Sequence, residues 1–227
     1  FRPFRLPGGE RAGREPWRSA AALCWEAGLD CTLEEAADPL LHSFWQQGKN
    51  APSTTAAGRL FDAAAALCGV VTKASFEGQG PMQLEALAAN AFKIRHCHPG
   101  ESRDLHPVCM KLERVRSPDN EGIYVADWAA LIPMLTDDSL SPANRAARFH
   151  LSMAHTLLDQ ARQVREDTGI RAIGLSGGVF QNRVLTEKAI TLLNADGFTV
   201  TLPSCVSVND GGISFGQIID YAYNGKQ

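Results

Sequence analysis

Residues 170–217 read IRAIGLSGGVFQNRVLTEKAITLLNADGFTVTLPSCVSVNDGGISFGQ and decide the fold class of this chain. Short apolar runs at 172–175 and 199–202 predict strands, and helical periodicity over 182–194 and 212–223 predicts helices. The order strand, helix, strand, helix is typical of a compact α/β unit with parallel strands. Two glycine pairs, Gly177-Gly178 and Gly211-Gly212, stand just before the two helices.

The first glycine pair lies in a Ser176-Gly177-Gly178 turn between a strand and a helix. Backbone N–H groups at a helix start are unsatisfied donors, and glycine lets a phosphate approach them closely. Asn182, about one turn farther along, would reach a base or ribose. The alternative is an ordinary connection in which glycine solves a backbone problem. The turn matches neither the P-loop nor the dinucleotide fingerprint.

Asp210 precedes the second glycine pair. An aspartate there can cap the following helix, which is the simpler interpretation. It can also ligate a cation beside phosphate groups, since hard cations prefer oxygen ligands.

A buried carboxylate is predicted in the middle of the chain. Asp62 lies inside the very apolar helical stretch TAAGRLFDAAAALC, where it needs a partner: Arg59 three residues earlier, or ligand hydroxyls. Gly78 and Gly80 follow in a turn that could contact a ligand through its backbone, and Glu85 stands in the next helical segment.

The rest of the chain predicts a helix-rich protein of the α/β class with a small mixed sheet. Residues 1–140 form a helical part with a variable loop at 93–120, and residues 141–227 form the α/β part. Helices are expected at 15–27, 32–37, 39–47 and 55–68, again from Met82, and over a long amphipathic stretch that begins at Pro142 with Ser141 as its cap.

Composition narrows the class of protein. The 227 residues are 44% hydrophobic and 21% charged, with a net charge of -3. No apolar run reaches the length of a membrane span and no signal peptide is visible, so no membrane contact and a cytoplasmic location are expected. The acidic balance argues against nucleic acid as a partner. The six cysteines form no CxxC pair and are expected to be reduced thiols.

Three apparent motifs are weaker. A zinc site in the stretch with His96, Cys97, His98, His106 and Cys109 fits no standard spacing. The two helical histidines, His150 and His155, do not form an HExxH pair and are expected to be core or surface residues. Ser176 lacks a Gly-x-Ser-x-Gly elbow, so it is not expected to be a hydrolase nucleophile.

Five segments in series form a specific pattern, although each is weak alone. They are REPW (14–17), NAPSTTAAGRLFDAAAALCG (50–69), SFEGQGPMQLEALA (75–88), GLSGGVFQNRVL (174–185) and NDGGISFGQ (209–217). The series resembles the C-terminal region of the carbamoyltransferases that mature [NiFe]-hydrogenases, the HypF family, over nearly the whole chain. The region is also similar to the tRNA threonylcarbamoyl-transferases of the actin-like/Hsp70-like/sugar-kinase superfamily, so the resemblance implies one helix-rich lobe of that fold, incomplete at its N-terminus.

The resemblance implies an activity. Proteins of this family use carbamoyl phosphate and ATP to form carbamoyl-adenylate. They pass the carbamoyl group to the C-terminal cysteine of a partner maturation protein, as a step towards the cyanide ligand of the hydrogenase. Alternatives are a related carbamoyltransferase acting on tRNA or on a small-molecule hydroxyl, or a partner-binding lobe without chemistry of its own.

The resemblance also implies roles for individual residues. Asp62 and Glu85 match positions expected to hold the ribose hydroxyls, and Asp210 matches an aspartate near a divalent metal (Zn, Fe or Mg). The remaining matches fall in nucleotide-binding turns: Gly78, Gly80, Ser176, Gly177, Gly178 and Asn182.

One departure from the family pattern concerns the metal site. The family's histidine motif of the HisHisHisAlaHis type and its Asp-Gly-Thr-Gly hairpin do not occur in this chain. The chain is therefore expected to supply one side of a two-lobed cleft and to be inactive in isolation. No residue is identified as a catalytic nucleophile.

Overall fold

The computed structural model describes residues 1–97, 105–117 and 120–224. Within these residues the chain is mainly helical, and eight α-helices follow one another along it. The helices are α1 (Pro16–Glu26), α2 (Pro39–Gln46), α3 (Ala57–Leu67), α4 (Gln79–Cys97), α5 (Leu131–Leu135), α6 (Pro142–Thr168), α7 (Arg183–Ala195) and α8 (Ile213–Asn224).

In the described part of the chain, the strands form three separate two-stranded sheets. The strands are β1 (Phe4–Arg5), β2 (Ser53–Thr54), β3 (Lys111–Ser117), β4 (Asn120–Asp127), β5 (Ala172–Gly174) and β6 (Thr199–Thr201). The pairs β1–β2 and β3–β4 are antiparallel, whereas β5 and β6 are parallel and joined through α7. The predicted α/β unit is therefore present, as a single βαβ crossover followed by α8.

The core lies between α1, α3, α4 and α6. Alanine dominates α3, where Ala63 to Ala66 are all completely buried, and their small side chains let neighbouring helices approach closely. Phe61 on α3 packs edge-to-face on Phe149 of α6, with ring centroids 4.9 Å apart. The βαβ unit joins this body because α7 packs on α6, and a second apolar cluster of Leu158, Leu175, Leu193 and Phe198 fills the space between them.

The long helix α6 begins where the sequence predicts. Ser141 accepts a hydrogen bond from the Asn144 backbone N–H, and Pro142 occupies the first helical position. Gly169 ends the helix in the left-handed conformation, with φ 74°. These features are a standard N-cap and C-terminal glycine stop.

Two predicted elements differ in the structure. The helix expected at 32–37 is only a 3₁₀ turn, Glu34–Ala36. It stops there because Asp38 adopts an extended conformation to cap α2, and Pro39 disfavours a helical residue before it. In contrast, α4 begins earlier than predicted, at Gln79, since a proline is tolerated in the first turn of a helix.

The segment predicted as a variable loop, 93–120, contains regular secondary structure in its described residues. The helix α4 continues to Cys97, and β3 begins at Lys111 and pairs with β4. The sequence also predicts one short strand near Val108 to Val115, and the structure contains it slightly displaced, at Lys111–Ser117. Residues 98–104 and 118–119 lie outside the described residues.

The C-terminal helix α8 is the most exposed element. None of its residues is buried, and six of them expose large apolar side chains: Ile213, Phe215, Ile218, Ile219, Tyr221 and Tyr223. In the described residues the β5–β6 sheet has two strands, although parallel sheets are ordinarily larger and covered on both faces. Within the described part of the chain, no helix is long and apolar enough to cross a membrane.

Candidate functional site

The two glycine turns lie side by side. The Gly177 N–H donates a hydrogen bond to the carbonyl oxygen of Val208, with an N···O distance of 2.7 Å. This bond joins the turn that follows β5 to the segment that leads into Asp210. The sequence predicts the two turns separately, and the parallel pairing of β5 and β6 is what brings them together.

Gly177 and Gly178 are glycines for different reasons. Gly177 has φ 112° and ψ 154°, a conformation that is essentially restricted to glycine. Gly178 has an ordinary φ, and a Cβ added to it would meet nothing within 4 Å. The fold therefore requires glycine at 177 but not at 178, where its absent side chain leaves open space in front of the turn.

The Ser176–Gly178 turn offers free backbone donors. It leads into a 3₁₀ turn, Gly178–Gln181, before α7 begins. In the part of the chain that the structure describes, the N–H groups of Gly178 and Val179 donate to no carbonyl group. Unpaired donors at such a turn favour an anionic group.

The N-terminus of α7 itself is already occupied by protein groups. The Asn182 side-chain oxygen accepts from the Leu185 N–H at 2.9 Å. Glu85, from α4, accepts from the N–H of Arg183 at 2.8 Å and from that of Val184 at 3.4 Å. An anion at this end of the molecule would therefore bind at the preceding turn rather than at the helix N-terminus.

Asn182 has a structural role that the sequence does not reveal. Its side chain is buried, and its amide nitrogen lies 3.0 Å from Nε2 of His150. To bind a base or ribose as the sequence predicts, the Asn182 side chain would have to give up its hydrogen bonds with Leu185 and His150. The residue instead fixes the turn against α6.

His150 lies in the core, one of the two locations that the sequence predicts for it. Its Nδ1 lies 2.8 Å from the carbonyl oxygen of Ala146, so Nδ1 carries the proton and Nε2 accepts from Asn182. Burial lowers the pKa of His150 to about 4, partly offset by the hydrogen bond to Ala146. The imidazole is therefore neutral at physiological pH. It also packs edge-to-face on Phe61, which neighbours Asp62 in α3.

Glu85 is only partly buried, and only one of its carboxylate oxygens is used. Oε1 accepts both hydrogen bonds from α7. No hydrogen bond within the described residues involves Oε2, so this oxygen remains available to a ligand. The geometry is compatible with the ribose contact that the resemblance implies, and adds a cap that ties α4 to α7.

Asp62 is buried, with 3% of its surface exposed. Its Oδ2 lies 3.0 Å from Nη1 of Arg59, but without hydrogen-bond alignment, so this buried oxygen accepts no hydrogen bond. Burial raises the pKa of Asp62 to about 6; Arg59 opposes this shift, and the charge of Glu77 adds to it. Such a group is costly to keep in a folded protein and is typical of functional sites.

Gly80 lies in the first turn of α4 rather than in a loop. A Cβ on Gly80 would lie 3.1 Å from the Cβ of Ala65 and 3.7 Å from Oδ1 of Asp62. The glycine therefore allows α3 and α4 to approach each other beside Asp62. Gly78 stands in the preceding turn, where φ 81° favours glycine.

The second glycine pair is explained by its own turn. Asn209, not Asp210, caps it, by accepting from the Gly211 N–H at 3.0 Å. A Cβ on Gly212 would lie 2.6 Å from the Ser207 carbonyl oxygen. The expectation that Asp210 acts as a cap is wrong, and its exposed carboxylate makes no hydrogen bond or ion pair with the described residues.

Metal-binding residues are sparse in the described part of the chain. No group of three or more His, Cys, Asp or Glu side chains gathers there to hold a metal ion. The weak zinc pattern includes His98, which lies outside the described residues.

Comparison with protein families gives a specific match. The family described as "Carbamoyltransferase, Kae1-like Domain, second subdomain" matches residues 1–217. Among individual proteins, the chain is 32% identical to the carbamoyltransferase HypF2 of Cupriavidus necator and 33% identical to the carbamoyltransferase HypF of Rhodobacter capsulatus. Each alignment covers 96% of this chain.

Solved structures agree with these relatives. A full-length HypF in its phosphate- and nucleotide-bound form superposes with a TM-score of 0.78 at 28% identity, over 100% of this chain and 29% of that one. The HypF of T. kodakarensis superposes with a TM-score of 0.72 at 22% identity, over 96% of this chain and 28% of that one. The chain spans 29% of the Cupriavidus relative and 27% of the Rhodobacter relative.

Proposed function

The chain belongs to the HypF carbamoyltransferase family as the second subdomain of its Kae1-like domain, and we propose that it forms one wall of an ATP-binding cleft in a carbamoyltransferase of hydrogenase maturation. One observation carries this proposal. The Ser176–Gly178 turn has backbone N–H groups without a carbonyl partner, and in front of Gly178 there is open space that the fold does not require. The hydrogen bond from Gly177 to Val208 holds this turn beside the segment that carries the unpaired carboxylate of Asp210.

Several of the predicted residues have a part in the proposed cleft, whereas Asn182 and Gly80 act in the packing around it. The turn at Gly178 would bind the phosphate groups through its backbone N–H groups, as anion-binding turns do. Asp210 would supply a carboxylate oxygen to a divalent cation such as Mg²⁺, and the cation would provide positive charge beside the phosphate groups. The free Oε2 of Glu85 and the carboxylate of Asp62 would accept hydrogen bonds from the ribose hydroxyls.

The proposed reaction is carbamoyl transfer from carbamoyl-adenylate, which is formed from carbamoyl phosphate and ATP. The thiolate of the partner's C-terminal cysteine attacks the carbamoyl carbon, a C–S bond forms, and the C–O bond to AMP breaks. The phosphate oxygen of AMP takes the electron pair. The attacking group belongs to the partner, so this chain would contribute orientation, charge stabilisation and exclusion of water.

A second subdomain implies a first, and the exposed faces of this chain indicate where it would pack. The α8 face exposes six large apolar side chains, and the β5–β6 sheet has unpaired edges. Apolar surface of this kind marks an interaction site. We propose that the first subdomain covers α8 and extends the sheet, and that the 227-residue chain alone does not catalyse transfer.

The protein in its natural full length provides the test. We expect the protein to transfer the label of radiolabelled carbamoyl phosphate to the partner's C-terminal cysteine in the presence of Mg²⁺ and ATP, and Gly178→Val to abolish this transfer because its side chain fills the space before the turn. Gly58→Ala, a change in α3 that also meets open space, should retain the activity. Full activity in Gly178→Val would refute the proposed phosphate site.

One observation favours a second candidate function. The exposed α8 would equally suit a partner-binding lobe without chemistry. Calorimetry with Mg²⁺-ATP separates the two: nucleotide binding that is lost in Asp62→Ala supports the cleft, and absence of binding by the full-length protein supports the lobe. For the acceptor, radiolabelled carbamoyl phosphate distinguishes transfer to a protein cysteine from transfer to tRNA or to a small-molecule hydroxyl.

A further inference from the structure

Two cysteines meet at the C-terminal end of α1. Gly28 reverses the chain with φ 71°, and the Leu29 N–H donates to the Cys24 carbonyl oxygen at 2.8 Å. This turn brings Cys31 back against the apolar core cluster that contains Cys24, and a side-chain hydrogen bond between the two thiols is the largest influence on the pKa of each. The sequence contains no CxxC pair, so this contact depends on the turn and is not visible in the spacing.

The two thiols differ in accessibility. Cys24 is 1% exposed in the core, whereas Cys31 is half-buried and lines a cavity of about 560 Å³ that opens to solvent. The aromatic rings of Trp25, His42 and Trp45 form part of the cavity wall. A small molecule in this cavity would reach the sulfur of Cys31 but not that of Cys24.

The surroundings favour the thiolate on Cys31. The hydrogen bond from the Cys24 thiol lowers the pKa of Cys31, and a hydrogen bond from the Leu33 backbone acts in the same direction. Burial and the charge of Glu35 oppose the shift. The same contact and burial raise the pKa of Cys24, which therefore remains the protonated donor. An accessible thiolate beside a protonated thiol is the arrangement of an attacking and a resolving cysteine.

We propose that Cys24 and Cys31 are a redox-active dithiol, and that small disulfides entering the cavity oxidise it to an intramolecular disulfide. The Cys31 thiolate attacks one sulfur of the small disulfide, forming a mixed disulfide and expelling a thiolate. The sulfur of Cys24 then attacks Sγ of Cys31, the bond from Sγ to the bound half of the small disulfide breaks, and the departing sulfur takes the proton of Cys24 and leaves as the second thiol. In the net reaction, the dithiol is oxidised to one disulfide and the small disulfide is reduced to two thiols.

The cavity also selects among disulfides by charge. Asp30 and Asp38 are the charged residues of its described lining, which contains no lysine or arginine. A negative, partly apolar cavity attracts cations and repels anions. Cationic aminothiol disulfides such as cystamine should therefore react faster than anionic glutathione disulfide. None of the residues proposed to bind nucleotide lines this cavity.

Peptide mapping provides the test on the natural full-length protein. Trypsin releases residues 19–49 as one peptide, which contains both cysteines and no other. After brief exposure to cystamine and trapping of remaining thiols with N-ethylmaleimide, the wild-type peptide should be lighter by two hydrogen atoms and carry no adduct. Cys24→Ala should instead retain a cysteamine adduct on Cys31, and Cys31→Ala should leave Cys24 free to be trapped after denaturation.

Cys205, an exposed thiol elsewhere in the chain, provides the internal reference. At pH 7, cystamine should modify Cys31 roughly tenfold faster than Cys205, and the preference for cystamine over glutathione disulfide should be larger at Cys31 than at Cys205. Modification of Cys205 while peptide 19–49 stays a dithiol would overturn the proposal. So would a stable mixed disulfide on wild-type Cys31, because Cys24 would then not resolve it. An equal preference at both sites would overturn the selection by charge.

Discussion

Glu85 on α4 and Arg183 on α7 are 98 residues apart in the sequence, and the Glu85 carboxylate accepts a hydrogen bond from the Arg183 backbone N–H at 2.8 Å. Through this contact, the helical part of the chain caps the central helix of the βαβ unit. The Glu85 carboxylate, which we propose binds the ribose, is thereby fixed to the start of α7. The Ser176–Gly178 turn, which we propose binds the phosphate groups, lies a few residues before that start. Any movement of α4 would be transmitted to the turn that precedes α7.

The Glu85 cap should contribute measurably to stability. We expect Glu85→Ala to lower the free energy of unfolding by about 1 kcal/mol, because it leaves the first N–H groups of α7 unpaired. Glu187→Ala is the matched control: it removes an exposed ion pair with Arg183 within the same helix, and should cost less than about 0.5 kcal/mol. Urea unfolding measures both. Equal effects would mean that the cap is not formed in solution.

Gly80 and Gly58 provide a second matched pair, one at a helix contact and one in open space. Gly80→Ala should destabilise the protein by about 1–3 kcal/mol, since its new Cβ would press on the Cβ of Ala65, which cannot rotate away. Gly58→Ala should stabilise α3 by up to about 1 kcal/mol, because alanine restricts the unfolded chain and meets no neighbour. Thermal unfolding of both variants tests the prediction, and an unchanged midpoint for Gly80→Ala would contradict it.

The sequence predicts most helices because their periodicity, caps and glycine stops are local signals. Ser141 at the start of α6 is one example, and the βαβ unit is predicted for the same reason. The site is less predictable because its contacts are not local. Nothing near Asn182 in the sequence indicates His150 as its partner, and only the parallel pairing of β5 with β6 joins Gly177 to Val208. The extended conformation of Asp38, which shortens the element at 34–36, also depends on the helix that follows.

The two adjacent glycines of the phosphate turn should respond differently to alanine. Gly177→Ala should cost about 1–3 kcal/mol of stability, because φ 112° is strained for any residue with a Cβ. Gly178→Ala should change the stability little. Urea unfolding measures both variants. Similar losses at the two positions would show that Gly178 is required by the fold, and would remove the argument for open space at the phosphate site.

Buried His150 should make stability decrease in acid. Its pKa is about 4 in the folded protein and about 6.5 in a model peptide, so the unfolded chain takes up a proton first as the pH falls. The contribution of neutral His150 is therefore fully present above pH 6.5 and is lost between pH 6.5 and pH 4, to a limit of about 3 kcal/mol. His150→Gln, which cannot titrate, should lose less stability over the same range. Parallel pH profiles for the two proteins would contradict the neutral, buried imidazole.

Asp62 should have the opposite dependence on pH. Its pKa is raised to about 6, so protonated Asp62 stabilises the fold below about pH 4, and this contribution is lost as the pH rises through 6. Asp62→Asn should therefore increase the free energy of unfolding above pH 7, by about 3 kcal/mol at most, and the gain should vanish near pH 4. Urea unfolding at both pH values gives the comparison. In the full-length protein, the same variant should lose nucleotide affinity, as expected when a site keeps a destabilising group for its function. A variant that is less stable than wild type at pH 8 would instead assign Asp62 to a structural ion pair with Arg59, and the ribose contact would then rest on Glu85 alone.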